Sequence, residues 1–301
     1  MRIVFMGTPD FAVPSLDILV RHGYDIPAVV TAPNKPGGRL GMQISAVKRY
    51  AQQQGIAVLQ PPKLKAPEFL DTLRGLRADL LVVVAFRMLP EAVWAMPPLG
   101  TINLHGSLLP KYRGAAPINW AVINGETETG LTTFLLRHEI DTGDVLLRER
   151  VPIGPDETAG ELYERMMHIG ANLTLRTVQM LEKGDYTPLP QSDEEATHAP
   201  KIFTENCQLD FSKTPQQAHN FIRGLNPHPG AWMRQNGKII KLWRSALTES
   251  DGPRDLAPST WRVFEKKRLL LGLEQGAIEI LELQPEGKRR MKAEEFANGL
   301  R

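Results

Sequence analysis

The segment INLHGSLLP (residues 102–110) contains two side chains that are suited to acyl chemistry. Asn103 and His105 are two residues apart, and side chains at that spacing project from the same face of a β-strand. The residues around them are apolar, and Gly106 breaks the strand directly after His105. An amide can donate hydrogen bonds to a carbonyl oxygen, and an imidazole can carry a proton near neutral pH. The pair therefore predicts a reactive position at the end of a strand.

The segment HEIDTGD (138–144) offers a carboxylate that could complete the set. Its composition is also that of an ordinary turn, which is the alternative interpretation. If Asp141 lies beside His105, it would set the charge state of the imidazole. The sequence shows no serine or cysteine nucleophile with a plausible partner and no clustered metal ligands. We therefore expect direct acyl transfer between two bound substrates, without a metal.

The first half of the chain alternates short β-branched runs with helical patterns, which indicates a parallel sheet with helices on both faces. The expected strands are RIVFM, AVVTA, DLLVVVAF and GTINL, followed by LTTFLLR and DVLLRERVPI without a helix between them. The last two predict differently oriented strands near the sheet edge. Thr158 and Glu161 form a capping-box pattern, and the helix that they begin is expected to end near Lys183.

The second half begins with a stretch rich in proline and charge, which predicts an interdomain linker over residues 184–205. The chain after it shows a short helix pattern, a strong type I′ hairpin signal at Asn236-Gly237 and several short strands. The predicted domains are 1–183, a doubly wound, mostly parallel α/β domain, and 206–301, a small open β-barrel. Barrels of this kind often present a face to oligonucleotides.

Composition and charge exclude several classes. The turn after the first strand, MGTPD, has one glycine where a dinucleotide-binding fingerprint has three, which argues against a nicotinamide cofactor. The longest apolar run is too short for a membrane span, and the lone cysteine, Cys207, predicts a reducing compartment. We expect a cytoplasmic protein without membrane contact. Residues 207–301 carry 16 Lys and Arg against 11 Asp and Glu, a surplus typical of polyanion-binding regions.

Several motifs together resemble the folate-dependent formyltransferases. They are NLHGSLLPKYRGAAPI (103–118), the step of 36 residues from His105 to Asp141, MGTPDFAVPSL (6–16) and AFRMLP (85–90). Three further segments, PNKPGGR (33–39), APKI (199–202) and FIRGLNPHPGAW (221–232), are similar to the family members that act on methionyl-tRNA. Phe86-Arg87-Met88 departs from the family pattern, in which many relatives have Tyr-Gly-x-Ile.

The resemblance implies a formyl transfer from N10-formyltetrahydrofolate to the amino group of initiator methionyl-tRNA, with Asn103, His105 and Asp141 as the catalytic residues. It also implies a set of folate-site residues: Phe86, Arg87, Leu89, Ser107, Leu108, Leu109 and Pro110. Asn103 and a protonated His105 would stabilise the oxyanion, and Asp141 would favour the protonated imidazole or accept a proton through water.

The resemblance further implies that the loop at 33–43 reaches the acceptor end of the tRNA, and that the basic C-terminal domain binds its phosphates. The candidate contacts are Lys35, Arg39, Lys201, Lys238, Lys241, Arg244, Lys266, Lys267 and Arg268. We expect a monomer. Two alternatives stay open at this point: a related enzyme that formylates a small amine or hydrolyses formyl-folate, and a noncatalytic RNA-binding protein with the same fold.

Overall fold

The computed structural model describes residues 1–36, 41–248, 255–264 and 268–299. The chain forms two compact units, each assembled from separate stretches. Unit 1 contains Met1–Gly114, Gly130–Val151 and Tyr163–His198, and unit 2 contains Ala115–Thr129, Pro152–Leu162 and Ala199–Arg301. No helix in these described ranges has the length and apolar character needed to cross a bilayer. The domain boundaries at 183 and 206 stay a prediction.

Within the described ranges, unit 1 holds most of the helices and the parallel strands of the larger sheet. Its elements, including those that run beyond it, are β1 (Ile3–Gly7), α1 (Val13–Arg21), β2 (Ala28–Val30), β3 (Lys35–Pro36), β4 (Met42–Gln43), α2 (Ala46–Gln53), β5 (Ala57–Leu59), α3 (Pro67–Gly75), β6 (Leu80–Val84), α4 (Glu91–Trp94), β7 (Thr101–His105), β8 (Arg113–Gly114), β9 (Glu128–Leu135), β10 (Val145–Pro152), α6 (Ala159–Lys183) and β11 (His198–Ala199). Strand β5 and helix α3 were not predicted from the sequence, nor were the two-residue strands β3, β4, β8 and β11.

The core of unit 1 is a seven-stranded sheet in the order β10-β9-β7-β6-β1-β2-β5. The strands β5, β2, β1, β6 and β7, in sheet order, pair in parallel, and β9 pairs with β7 in the antiparallel sense. All residues of β1 and β6 are buried, as expected for central strands that are covered on both faces. The predicted doubly wound, mostly parallel sheet with a differently oriented strand near its edge is thus confirmed.

The strand order reverses between β1 and β6, which makes this the switch point of the sheet. Gly7 lies opposite Val84, and Val84 lies opposite Leu104, so that β1, β6 and β7 end at the same edge. The loops MGTPD, AFRMLP and HGSLLP therefore leave the sheet side by side. Ligands of open α/β sheets bind outside the carboxyl ends of strands at such a point.

Unit 2 is built on an antiparallel sheet with strand order β12-β13-β16-β15-β14, and β17 pairs with β16. Its elements are α5 (Pro117–Ile123), α7 (Pro215–Gly224), β12 (Ala231–Gln235), β13 (Lys238–Ala246), β14 (Trp261–Phe264), β15 (Arg268–Leu273), β16 (Gly276–Pro285), β17 (Met291–Lys292) and α8 (Ala293–Asn298). Asn236 and Gly237 have φ values of +49° and +78°, which a type I′ turn requires. The predicted hairpin is confirmed.

Two helices begin with a capping box, and the first of them, at Thr158, is the one predicted from the sequence. At the start of α6, Thr158 Oγ1 accepts a hydrogen bond from the Glu161 backbone N–H, and Glu161 Oε2 accepts one from the Thr158 N–H. Thr214 and Gln217 make the same reciprocal pair at the start of α7. Each box satisfies two backbone donors that would otherwise lack partners at a helix N-terminus.

Candidate active site

Strand β7 carries Asn103 and His105 on one face, next to its carboxyl end. Asn103 lies opposite Val83 of β6 and Phe134 of β9, and His105 lies opposite Thr132 of β9. His105 is buried and Asn103 is half-buried. Among the described residues, none forms a hydrogen bond with the Asn103 side chain, so its amide N–H groups remain available to a ligand.

The hydrogen bonding of His105 fixes the tautomer of its neutral ring. Nε2 lies 2.8 Å from the backbone oxygen of Tyr112. A carbonyl oxygen can only accept a hydrogen bond, so Nε2 carries the proton. The unprotonated nitrogen of the neutral ring is therefore Nδ1. This nitrogen faces Asp141, and it is the position at which His105 can take up a second proton.

Asp141 sits on a strained loop. Its φ is +56°, in the left-handed region that side chains with a Cβ seldom adopt, and such residues persist where surrounding contacts hold them. Its Oδ2 accepts a hydrogen bond of 2.9 Å from the Gly114 backbone N–H. Two residues later, a Cβ on Gly143 would overlap the backbone oxygen of Leu135, so only glycine fits.

The structure brings His105 and Asp141 face to face, with 3.8 Å between Nδ1 and Oδ2. The two side chains are 7% and 12% exposed, so little water screens the pair. The distance exceeds that of a hydrogen bond, which leaves the facing atoms open to a substrate group or a water. The arrangement can therefore hold an imidazolium beside a carboxylate and pass a proton between them.

The loop after β7 is pinned by Thr132. The Thr132 hydroxyl donates to the Ser107 backbone oxygen and accepts from the Leu109 backbone N–H, at 2.7 and 3.1 Å. Ser107 Oγ donates to the Lys111 carbonyl, and the Leu109 side chain packs in a buried cluster with Phe134. The side chains of Ser107 and Leu109 thus serve the loop itself. Pro110 is buried and Leu108 half-buried.

The loop after β6 contains an unusual arginine. Arg87 donates to the backbone oxygens of Pro61 and Pro62, and its guanidinium lies 5.5 Å from the centre of the Phe86 ring. Burial lowers the pKa of Arg87 below its ordinary value. Its Nε is buried and has no hydrogen-bond partner within the described ranges. Leu89 is buried in the core of unit 1. An unpaired buried donor at the ligand edge of the sheet suits a hydrogen-bond acceptor on a ligand.

The predicted tRNA contacts are distributed over both units, and they differ in whether their side chains already form an ion pair. Lys35, Lys201 and Lys238 are exposed, and Lys241 lies 5.4 Å from the centre of the Trp243 ring. Arg244 forms an ion pair with Glu161, and Arg268 forms one with Glu279. The positions of Arg39, Lys266 and Lys267 lie outside the described residues.

Comparison with known proteins decides the family. Residues 1–178 match the model for the formyl transferase family, and residues 201–301 match the model for the formyl transferase C-terminal domain. The chain belongs to the formyl transferase family. A relative named methionyl-tRNA formyltransferase, from Porphyromonas gingivalis, is 50% identical over 310 residues, covering 99% of this chain and 95% of that protein. In the described ranges no three His, Cys, Asp or Glu side chains are grouped to bind a metal.

Solved structures share the fold at low sequence identity. HypX from Aquifex aeolicus, in complex with tetrahydrofolic acid, has a TM-score of 0.68 and 18% identity; the match covers 98% of this chain and 46% of HypX. WlaRD, a sugar 3N-formyl transferase with dTDP and 5-N-formyl-THF, has a TM-score of 0.69 and 20% identity over 96% of this chain and 99% of WlaRD. These similarities show the formyl transferase fold.

The residues that hold the site were not predicted from the sequence. Gln191 contacts the loop of Asp141, Thr197 contacts Tyr112, and Arg113 contacts Gln191. Gln191 and Thr197 lie in the stretch interpreted as a linker, because its composition shows no apolar period. Arg113 was quoted only as part of a motif. A polar residue in a loop gives no local signal of its partner 50 or 85 residues away.

Proposed function

We propose that this chain transfers the formyl group of N10-formyltetrahydrofolate to the amino group of initiator methionyl-tRNA, giving the formylated tRNA. The observation that carries the proposal is the facing pair His105 and Asp141, with Asn103 beside it, at the ligand edge of a formyl transferase domain. The choice of acceptor is supported by the relative from Porphyromonas gingivalis, which matches both domains at 50% identity.

In the proposed reaction, the methionyl amine attacks the formyl carbon, and a C–N bond forms while the carbonyl oxygen gains negative charge. The free amide N–H groups of Asn103 and the protonated ring of His105 stabilise that oxygen. Asp141 holds the charge on His105 and accepts the proton that the amine loses, directly or through water. The bond from the formyl carbon to N10 of the folate then breaks, and N10 takes up a proton.

The folate would bind at the edge where the loops after β6 and β7 leave the sheet. Phe86 and Arg87 would form one wall, and the loop of Ser107, Leu108, Leu109 and Pro110 the other. Arg87 Nε is the donor in this wall that still lacks a partner within the described part of the chain. Because the side chains of Ser107, Leu109 and Leu89 are engaged inside the protein, we expect them to act through loop shape.

The tRNA would be held mainly by lysines that form no ion pair with any of the described residues. Lys35, Lys201, Lys238 and Lys241 are the described candidates, with Arg39, Lys266 and Lys267 added from the sequence. Arg244 and Arg268 already pair with glutamates, so we expect them to contribute less to phosphate binding. We further propose that the protein acts as a monomer, since one chain carries both matched domains. We propose that it is cytoplasmic, since its single cysteine, Cys207, can form no internal disulfide.

The test is a formylation assay with the purified chain, N10-formyltetrahydrofolate and methionyl-tRNA charged on initiator tRNA. We expect N-formylmethionine to appear on the tRNA only when the formyl donor and the charged tRNA are both present. Uncharged tRNA and donor alone are the controls. Release of free formate at the same rate with and without tRNA would favour a formyl-folate hydrolase instead. Sedimentation of the same preparation tests the monomer.

A further inference from the structure

The stretch of chain after α6 makes hydrogen bonds to the backbone of the loops that position Asp141 and His105. Gln191 Nε2 donates to the backbone oxygens of Asp141 and Gly143, at 2.9 and 2.7 Å. These are the carbonyls on either side of Thr142, so that one amide group spans the loop on which Asp141 sits. The loop is therefore held from behind, while its carboxylate is held by the Gly114 N–H.

Arg113 fixes the orientation of the Gln191 amide. Its Nε and Nη2 donate to Gln191 Oε1 at 3.2 and 3.0 Å, and its guanidinium is buried. An arginine can only donate and a carbonyl can only accept, so the network allows one orientation of the amide. The outer end of Arg113 pairs with the exposed Asp193. Gln191 is thus presented to the Asp141 loop with both N–H groups directed at it.

A second arm of the same stretch holds the partner of His105. The Tyr112 backbone N–H donates to Thr197 Oγ1, and the Arg113 N–H donates to the Thr197 carbonyl, both at 2.9 Å. Tyr112 has a φ of +59°, and its carbonyl is the acceptor for His105 Nε2. Thr197 therefore steadies a strained residue whose oxygen sets the tautomer and the direction of the imidazole.

We propose that Gln191 and Thr197 are positioning residues for the formyl transfer, and that together they set the separation of Asp141 and His105. Two independent observations agree on this. Both reactive residues depend on a backbone position with positive φ, at Asp141 itself and at Tyr112, and each position is held by one of these two side chains. Strain of this kind persists only where the surroundings determine it. The inference rests on the proposed catalytic roles of Asp141 and His105.

The test compares substitutions that remove one hydrogen-bonding group at a time. Gln191→Glu keeps the acceptor for Arg113 but cannot donate to the two carbonyls. Thr197→Val keeps the shape but loses the hydroxyl, and Thr197→Ser restores it. We expect Gln191→Glu to lower kcat about tenfold to a hundredfold, and Thr197→Val by about three- to tenfold, because small displacements of reacting groups are costly. KM for folate and tRNA should change less than about threefold.

The controls separate positioning from folding. Thr197→Ser should return kcat to within about twofold of the wild type, and so should Ser192→Ala, at the exposed neighbour of Gln191. Thermal unfolding is measured for every variant, and activity is assayed well below the lowest midpoint. Unchanged kcat in both Gln191→Glu and Thr197→Val, while Asp141→Asn lowers kcat by about a hundredfold or more, would overturn the positioning role. Normal kcat in Asp141→Asn would instead remove the catalytic assignment on which it rests.

Discussion

Replacing Asp141 by asparagine isolates the charge that faces His105. Asparagine retains an oxygen that can accept the hydrogen bond from the Gly114 N–H, so the loop should keep its conformation. The lost attraction acts over 3.8 Å between two largely buried groups. With an effective dielectric constant of about 20, two unit charges at this distance attract by about 4 kcal/mol. Since about 1.4 kcal/mol corresponds to a tenfold change, the upper limit is about a thousandfold.

We therefore expect Asp141→Asn to lower kcat by about a hundredfold to a thousandfold, within the range for removing a general acid or base. The assay is formylation of methionyl-tRNA at saturating folate and tRNA. Asp71→Asn, which removes an exposed carboxylate from an ion pair on α3, is the matched control and should retain wild-type kcat. The double variant with His105→Ala should be little slower than the slower single variant, because residues that act as a unit are not additive. A kcat near wild type in Asp141→Asn, or fully multiplicative losses, would refute the reasoning.

Three further predictions follow from other parts of the molecule. Gly143→Ala should abolish most activity, because a Cβ there overlaps a backbone oxygen. Gly75→Ala, at a position on α3 with open space around it, should leave kcat unchanged and should not lower the midpoint of urea unfolding. Equal behaviour of the two variants would contradict this. Burial lowers the pKa of His219, so its contribution to stability should be complete above about pH 6.5 and decline as the pH falls toward its folded-state pKa. The free energy of unfolding in urea should therefore differ less between pH 8 and pH 5 in His219→Gln than in the wild type. The same difference in both proteins would exclude this contribution of His219. Arg39→Ala should lower kcat/KM more for initiator than for elongator methionyl-tRNA. Neutralising the lysines at 266–267 should weaken the binding of both tRNAs and reduce the log-log salt slope by roughly one unit per lost phosphate contact. If Arg39→Ala lowers kcat/KM by the same factor for both tRNAs, the loop makes only an electrostatic contact.

The elements that could be predicted are those whose signal is local. The capping box at Thr158 and the apolar period after it define α6, and Asn236-Gly237 defines the hairpin of unit 2. The strands β1 and β6 are continuous apolar runs, whereas β7 alternates Ile102 and Leu104 with polar residues. Their parallel pairing places the ends of β1, β6 and β7 at one edge. The two-residue spacing of Asn103 and His105 then fixes their shared face.

Other elements were missed because their signals are weak. Strand β5 has only three residues, AVL, and none is fully buried; an apolar run of this length does not distinguish a strand from a loop. Helix α3 buries just Phe69 and Leu73, and its N-cap, Ala66, makes no side-chain cap. Short elements such as these are fixed by the neighbours that they pack against, and not by their own pattern.

The support of the site could not be derived from the sequence at all. The positions of Gln191 and Thr197 relative to Asp141 and Tyr112 depend on how two loops approach each other, and hydrogen bonds between loops have no period along the chain. The same polar and proline-rich composition that indicates a linker also supplies the donors and acceptors of the site. The composition of residues 184–205 shows that they have no apolar period, but it does not show which residues they contact.

The most direct test of the central claim compares acceptors under one formyl donor. Formyl transfer from N10-formyltetrahydrofolate is measured to initiator methionyl-tRNA, to a methionine ester and to a dTDP-linked amino sugar, with the same enzyme preparation. The proposal predicts a kcat/KM for methionyl-tRNA at least about a thousandfold above both small amines, because binding energy from the tRNA positions the amine. Transfer to the amino sugar with equal or greater kcat/KM would contradict it.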